Sequence, residues 1–140
     1  MLFRRPRRRD SDEAWEVVDS QSVEAVPMIY EGMRDFLDVD IQDVADADIV
    51  GTYLFEVDPH TRRSRRESFE RAIIFARREL LRETEKRGFN MLLHESWTAT
   101  LLRRGDRDRV QVRYSGRGAL AEGADDVHSR PPPYLEVLRN

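Results

Sequence analysis

The chain has 140 residues, of which 36% are charged and 39% apolar, so we expect one domain with a modest core and some unpacked chain. It contains no cysteine, which excludes disulfides, zinc–thiolate sites, iron–sulfur clusters and thiol nucleophiles, and favours an intracellular location, cytoplasmic or nuclear. No apolar run approaches the ~18 residues of a membrane span, so we expect no membrane contact.

The net charge of -3 conceals a strong segregation of charge along the chain. Residues 1–9 carry +5, residues 10–60 carry -14, residues 61–120 carry +8 and residues 121–140 carry -2. The protein is arginine-rich, because every basic side chain except Lys86 is an arginine. This asymmetry predicts either that the acidic part folds onto the basic part or that each part faces a different partner.

The first 25 residues are predicted to form a disordered, charged tail. The arginines between Arg4 and Arg9 repel one another, and the segment has too few apolar groups to offset the entropy cost of ordering it. The run is either a solvated tail, a nuclear-localisation signal or a phosphate-binding arm. We expect residues 26–120 to form a single α+β domain and residues 121–140 to form a loop and proline-rich tail packed on that domain.

Three segments are predicted between this tail and residue 57. A short amphipathic helix is expected from Pro27 to about Asp38, since apolar residues recur there at helical spacing. The aspartate-rich segment 38–48 fails the EF-hand pattern, because its sixth position is Asp43 rather than glycine, and we interpret it as a solvated acidic turn. Residues 49–57 are β-branched and aromatic, which predicts a strand.

A basic loop leads into a long amphipathic helix that is predicted over 66–87. Ser64 and Glu67 have the spacing of a capping box, and Gly88 supplies the C-terminal stop. The buried stripe of this helix is predicted to be Phe69, Ala72, Ile73, Ala76 and Leu80. Candidate polyanion-binding residues of the basic loop are Arg62, Arg63, Arg65 and Arg66.

Residues 91–104 and 107–114 predict a long β-hairpin that turns at Gly105–Asp106. Placing Arg104 opposite Arg107 sets the register by counting. The pairs that follow are Arg103 with Asp108, Leu101 with Val110, Ala99 with Val112, and Trp97 with Tyr114. The fold class expected is therefore α+β, with a long amphipathic helix packed on a small antiparallel sheet that contains this C-terminal hairpin.

The side of the hairpin away from the helix is predicted to be a polar outer face. Its residues are His94, Ser96, Thr98, Thr100, Arg109, Gln111 and Arg113. Hydroxyl, amide and guanidinium groups suit a phosphate or another polar ligand, although the solvated face of an ordinary antiparallel sheet has the same alternation. No aromatic residue is expected there, which counts against stacking of nucleic-acid bases.

The sequence predicts neither a catalytic constellation nor a metal or cofactor site. His60, His94 and His128 lack the spacing of metal ligands. Glu95 falls on the core side of the hairpin, where a buried carboxylate needs Arg117 or another cation. No nucleophile, base and orienting residue form a recognisable pattern, so we do not expect an enzyme.

The C-terminal tail contains Pro131-Pro132-Pro133-Tyr134, which matches the P-P-x-Y pattern of ligands for WW domains. In that interpretation Pro131, Pro132 and Tyr134 contact the partner. The alternative is that the tail packs on its own sheet as a final extended segment.

Three segments between residues 89 and 138 form a distinctive set. They are HESWTATLLRRG at 94–105, RVQVRYSGR at 109–117 and RPPPYLEVL at 130–138. In this order they resemble a family of small basidiomycete fungal proteins with an ESW-like strand, an LLRRG-like turn, an RVxVxYSGR-like strand and an RPPP-aromatic ending. The resemblance implies a compact intracellular α+β unit to which the tail belongs, and it brings no activity, cofactor or partner.

Three classes of function follow from these features. The leading hypothesis is a non-enzymatic module that binds another protein, with the acidic segment 38–48 pairing with a basic partner or with the loop Arg62–Arg66. The second is binding of nucleic acid or another polyanion through the arginine clusters, which predicts steep salt dependence. The third is a small enzyme or ligand carrier with a cleft around Glu95, Trp97 and Tyr114.

Overall fold

The computed structural model describes residues 14–24, 40–122, 132 and 135–138. Its elements are β1 (Glu16–Val23), β2 (Asp40–Val57), α1 (Arg65–Lys86), β3 (Met91–Arg104), β4 (Arg107–Glu122) and a short 3-10 helix (Leu135–Val137). The four strands form one antiparallel sheet in the order β1-β3-β4-β2, and α1 packs on one face of it. The predicted α+β class, with one long helix on a sheet that ends in a long hairpin, is confirmed.

Helix α1 begins and ends at the predicted capping residues, one position earlier than the range 66–87. Ser64 Oγ accepts from the Glu67 backbone N–H at 3.1 Å, which is the first bond of a capping box, and it donates to Glu67 Oε1 at 3.3 Å, so the predicted pair caps the helix through a side-chain contact. At the other end Gly88 has a φ of 93°, a conformation that glycine adopts without steric cost. The local sequence therefore determines both ends of this helix.

The hairpin of β3 and β4 has the predicted register. Arg104 lies opposite Arg107 across the turn, and Trp97 lies opposite Tyr114. Beyond Ser96 the register shifts, because two residues, His94 and Glu95, oppose the single residue Gly116. This is a β-bulge, and His94 takes a positive φ of 52° within it. The bulge was not predicted, since alternation alone gives no sign of an extra residue.

The core lies between α1 and the inner face of the sheet. Every residue of the predicted helix stripe is buried there, with exposures of 0–4%. The hairpin contributes Trp97, Ala99, Leu101, Val110, Val112 and Tyr114, as predicted. Ile49 of β2 is buried, and Tyr53, Phe55 and Val57 pack beside it on the same face. Leu138 of the tail, 3% exposed, also belongs to the core, so this part of the tail packs on the domain.

The structure corrects the prediction that the N-terminal segment is disordered. Residues 16–23, expected within a disordered tail, form the edge strand β1, which pairs with β3 from Glu16↔Arg103 to Val23↔Trp97. The short strand has little apolar surface of its own and gains order from the ladder of β3. The basic run Arg4–Arg9 lies outside the described residues.

The structure also corrects the prediction that the acidic segment 38–48 is a turn. Its residues from Asp40 onward are the first part of β2 and pair with the end of β4, so the segment is a strand rather than a turn. The ladder is interrupted between Val44 and Asp48, where the register shifts. Partner strand β4 supplies backbone hydrogen bonds that the local composition does not indicate. The helix predicted from Pro27 lies outside the described residues.

The acidic and basic parts of the chain are joined by ion pairs across the fold. Four of these link residues 10–60 to residues 61–120: Asp19–Arg65 at 3.6 Å, Asp48–Arg117 at 3.0 Å, Glu56–Arg107 at 3.2 Å and Glu56–Arg109 at 3.0 Å. The expected folding of the acidic part onto the basic part is therefore seen. The proposed pairing of segment 38–48 with Arg62–Arg66 is not seen among the described residues, where Asp48 pairs with Arg117 and Arg65 pairs with Asp19.

Candidate functional site

The sheet face opposite α1, called the outer face below, carries most of the polar residues that the sequence singled out. Cross-strand pairing places Gln111 beside Thr100 and Leu54, and it places Arg113 beside Thr98 and Thr52. Arg109 lies next along β4, between Leu102 and Glu56. The outer face therefore brings together Thr98, Thr100, Arg109, Gln111 and Arg113. His94 is exposed but lies in the bulge, outside the regular ladder.

Hydroxyl contacts connect the strands across the outer face. Ser20 Oγ and Thr100 Oγ1 are 3.3 Å apart between β1 and β3, and Ser96 Oγ and Ser115 Oγ are 2.5 Å apart between β3 and β4. Arg113 is exposed among these hydroxyls and forms no ion pair with the part of the chain that the structure describes. The centre of the face is thus polar and carries one unneutralised guanidinium.

Trp15 lies against the outer face at the hairpin end, where no aromatic residue was expected. Its ring has the guanidinium carbon of Arg109 at 3.9 Å from its centroid, that of Arg104 at 4.7 Å and that of Arg107 at 5.7 Å. These are cation–π distances, and Glu56 adds ion pairs to two of the three arginines. We call these five residues the Trp15 cluster. Its arginines are occupied by contacts within the protein.

The prediction that the outer face carries no aromatic residue is therefore wrong. Trp15 was missed because it precedes β1, which was placed in the disordered tail. The available signal was weak: the β-branched residues Val17, Val18 and Val23 follow Trp15 closely. Recognising that short strand would have placed the ring near the sheet.

The four arginines of the predicted basic loop do not form one surface patch. Arg62 and Arg63 precede α1 and are exposed, whereas Arg65 and Arg66 belong to its first turn. Arg65 pairs with Asp19 of β1, and Arg66 donates through Nη1 to the Leu138 carbonyl. Two of the four therefore join β1 and the tail to the helix.

A buried polar cluster lies where α1 crosses the bulge. Arg77 Nε donates to Glu95 Oε1 at 2.6 Å, Arg77 Nη2 donates to Oε2 at 3.3 Å, and the Tyr114 hydroxyl donates to Oε1 at 2.7 Å. Burial works to lower the pKa of Arg77, but the carboxylate of Glu95 outweighs it and raises that pKa. Burial, reinforced by the same carboxylate, raises the pKa of Tyr114 well above its ordinary value.

Burial of Glu95 was predicted, and its cation is Arg77 of the helix rather than Arg117, which pairs with Asp48. The cleft expected around Glu95, Trp97 and Tyr114 is not open, because these side chains are 7%, 1% and 0% exposed. The polar cluster therefore satisfies its own hydrogen bonds within the core and offers no access to a substrate.

The WW-ligand pattern in the tail is only partly within the described residues. Pro132 is buried and Leu138 is held in the core, while Pro131 and Tyr134 lie outside the described residues. A docking motif must be accessible, so burial of Pro132 favours the alternative in which the tail packs on its own domain.

The described ranges hold no group of three or more His, Asp or Glu side chains that could share a metal ion. Nor does any helix described there combine the length and apolar character required to cross a membrane.

No protein-family model matches the chain, and neither the curated proteins nor the solved structures include a match to it. The class that the fold defines is an α+β protein in which a single described α-helix covers one face of a four-stranded antiparallel sheet.

Proposed function

We propose that this protein is a non-enzymatic interaction module that binds another protein through the outer face of its sheet. The observation that carries the proposal is that no described element covers this face, whereas α1 covers the inner one. Each strand of the sheet is hydrogen-bonded to a neighbouring strand, so the face is rigid. Its backbone therefore loses little conformational entropy on binding.

The distribution of apolar side chains supports a protein partner. Val17, Val50 and Leu54 are 65%, 46% and 55% exposed, and they lie on the two edge strands, on either side of the polar centre. The outer face thus mixes exposed apolar and polar area, as the surfaces of non-obligate protein interfaces do. Arg113 adds one charge that a partner carboxylate can neutralise.

Binding of a polyanion is less well supported, because most of the arginines in question have partners within the protein. The Trp15 cluster engages Arg104, Arg107 and Arg109, while Arg65 and Arg66 hold β1 and the tail. A phosphate would have to compete with these contacts. If binding to heparin nonetheless fell steeply with salt and disappeared when Arg62, Arg63, Arg65 and Arg66 were replaced by serine, the polyanion hypothesis would replace ours.

The test is affinity capture from the source cells with a variant that alters only the outer face. V50R/L54R places two charges on that face at exposed positions, so the fold should be retained. V137R is the matched control, since Val137 is also 45% exposed but lies in the 3-10 helix of the tail.

We expect at least one protein captured by the parent to be lost with V50R/L54R and kept with V137R, with thermal unfolding unchanged in both variants. Purified partner and isothermal titration calorimetry would then give the affinity. If the same proteins bind the parent and V50R/L54R equally, the outer face is not the binding surface and the proposal fails.

A further inference from the structure

A cleft lies on the helix side of the sheet, away from the outer face, where β2 and the following loop meet α1. Its volume is about 240 Å³. The floor is apolar, formed by Ala72 and Val110, which are 4% and 1% exposed. Two aromatic rings line the cleft, with Phe75 against Phe55 edge to face at 5.5 Å between centroids. Phe75 remains 44% exposed, which is unusual for a phenylalanine beside a core.

The charged groups around the cleft are not balanced. Of its two carboxylates, Glu56 is already paired with Arg107 and Arg109, and Asp58 accepts from the His60 backbone N–H at 2.9 Å. Of its two cations, Arg63 and Arg71 are both exposed, and neither has a carboxylate partner in the described part of the chain. Glu56 is therefore neutralised, Asp58 keeps its charge, and the two available guanidinium groups give the cleft one excess positive charge.

We infer that this cleft binds a small monocarboxylate with an aromatic or branched apolar body. The apolar body would lie on the floor against Phe75, and its carboxylate would accept hydrogen bonds from Arg63 and Arg71, which form strong charge-assisted bonds with carboxylates. The volume is below the ~300 Å³ lower bound of pockets for drug-sized ligands, so the ligand is small. This inference is independent of the proposed function, because the cleft and the outer face lie on opposite sides of the sheet.

A monocarboxylate is favoured over a phosphate ester by the rim itself. With Glu56 neutralised by Arg107 and Arg109, the two cations and Asp58 leave one excess positive charge, which a monoanion balances and a dianion overcompensates. The Ser68 hydroxyl can donate to a carboxylate oxygen at little electrostatic cost, whereas Thr61 Oγ1 already donates to the Asp58 carbonyl at 2.9 Å.

The experiment is a titration of the isotope-labelled full chain with sodium 3-phenylpropionate, followed by NMR amide shifts. Two related probes separate the contributions: 3-phenylpropanamide keeps the ring without the charge, and propionate keeps the charge without the ring. The variants are R63Q/R71Q and F75A. R87Q is the matched control, because Arg87 is an exposed arginine at the opposite end of α1.

We expect saturable shifts at the residues of the cleft, with a Kd of order 1 mM, as befits a ligand of this size. R63Q/R71Q should weaken binding about tenfold and abolish its dependence on salt, and F75A should weaken it severalfold. R87Q should bind like the parent, and both related probes should bind more weakly than 3-phenylpropionate.

Absence of shifts with 3-phenylpropionate would overturn the inference. So would equal binding of the neutral amide, or parent-like binding by R63Q/R71Q. Circular-dichroism melting of each variant shows that it is folded. F75A tests the same cleft at an uncharged position if the double variant does not fold.

Discussion

Arg77 of α1 and Glu95 of β3 form a buried ion pair, with 2.6 Å between Nε and Oε1 and side-chain exposures of 4% and 7%. The pair lies at the bulge, where Glu95 and His94 oppose a single residue of β4. The pair helps to fix the position of α1 on the sheet, because its hydrogen bonds require a defined distance and orientation. Because the pair is removed from water, its disruption is expected to cost far more than the disruption of a surface ion pair.

Replacing one partner of this pair should destabilise the protein strongly. R77M leaves the Glu95 carboxylate buried with the Tyr114 hydroxyl as its remaining partner in the described part of the chain, so the free energy of unfolding should fall by about 3–5 kcal/mol. The double variant R77M/E95L removes both charges and should recover part of that loss, since the buried Tyr114 hydroxyl is then left without its acceptor. Urea unfolding measures both changes, with R82M as a control on a surface pair. A single variant that is as stable as the control would mean that the pair is not buried in solution.

Alkaline pH should destabilise the fold through Tyr114. Burial and the Glu95 carboxylate raise the pKa of Tyr114 well above its ordinary value of 10.0. Above pH 10.0 the unfolded chain releases the phenolic proton while the folded protein keeps it. The contribution of Tyr114 to stability is therefore full below that pH and is lost as pH rises from there towards the raised pKa of the folded protein. The slope from this group is at most ~1.4 kcal/mol per pH unit.

The measurement for Tyr114 is urea unfolding of the parent and Y114F at neutral pH and above the ordinary tyrosine pKa. Y114F should lose less stability between the two conditions than the parent. Tyr53, whose pKa is also raised by burial, is examined in parallel with Y53F to separate its contribution. Identical losses in parent and Y114F would show that Tyr114 is not the responsible group.

The two tryptophans should respond very differently to truncation. Trp97 is 1% exposed in the core, so W97A should cost about 3–5 kcal/mol. Trp15 is partly exposed and makes cation–π contacts at the surface, so W15A should cost about 1 kcal/mol. Thermal and urea unfolding give both values. Equal costs would contradict the difference in burial between the two rings.

Any side chain at Gly88 should reduce the stability of the protein, although the space around the residue is open. Its φ is 93°, and a Cβ built there meets no atom within 4 Å, so any effect of substitution comes from the backbone alone. G88A should reduce stability by about 1–2 kcal/mol. G88N should cost less than G88A, because asparagine tolerates positive φ better than alanine does. If alanine is as stable as glycine, helix α1 ends elsewhere in solution.

Local sequence patterns determined much of this fold. Ser64, Glu67 and Gly88 predicted the ends of α1, and the apolar stripe predicted its buried face. The register of the hairpin followed from the turn at Gly105–Asp106 and strict alternation on both strands. These features depend on neighbours a few residues apart, so a single sequence is sufficient to find them.

The outer-face residues that come from the hairpin were predicted, but the residues that lie beside them on the same face were not. Alternation assigned Thr98, Thr100 and Arg113 to the side away from the helix. Trp15 and Val17 are not predicted there, because they come from the segment interpreted as a tail. Val50 and Leu54 are not predicted there because the pairing of strand 49–57 with β4 does not follow from local sequence. Strand pairing with β3 and β4 overrides those weak local signals.

What the sequence by itself determined is the long helix, the hairpin and the polar alternation of its outer side, since period and capping chemistry are local properties. Only the tertiary structure decided that Arg77 neutralises Glu95, that β1 and the acidic segment join the sheet edges, and that Phe55 and Phe75 line a cleft beside two arginines. The physical reason is the same in each case. Backbone pairing and charge compensation can be satisfied by many distant residues, and the packed fold selects which of them meet.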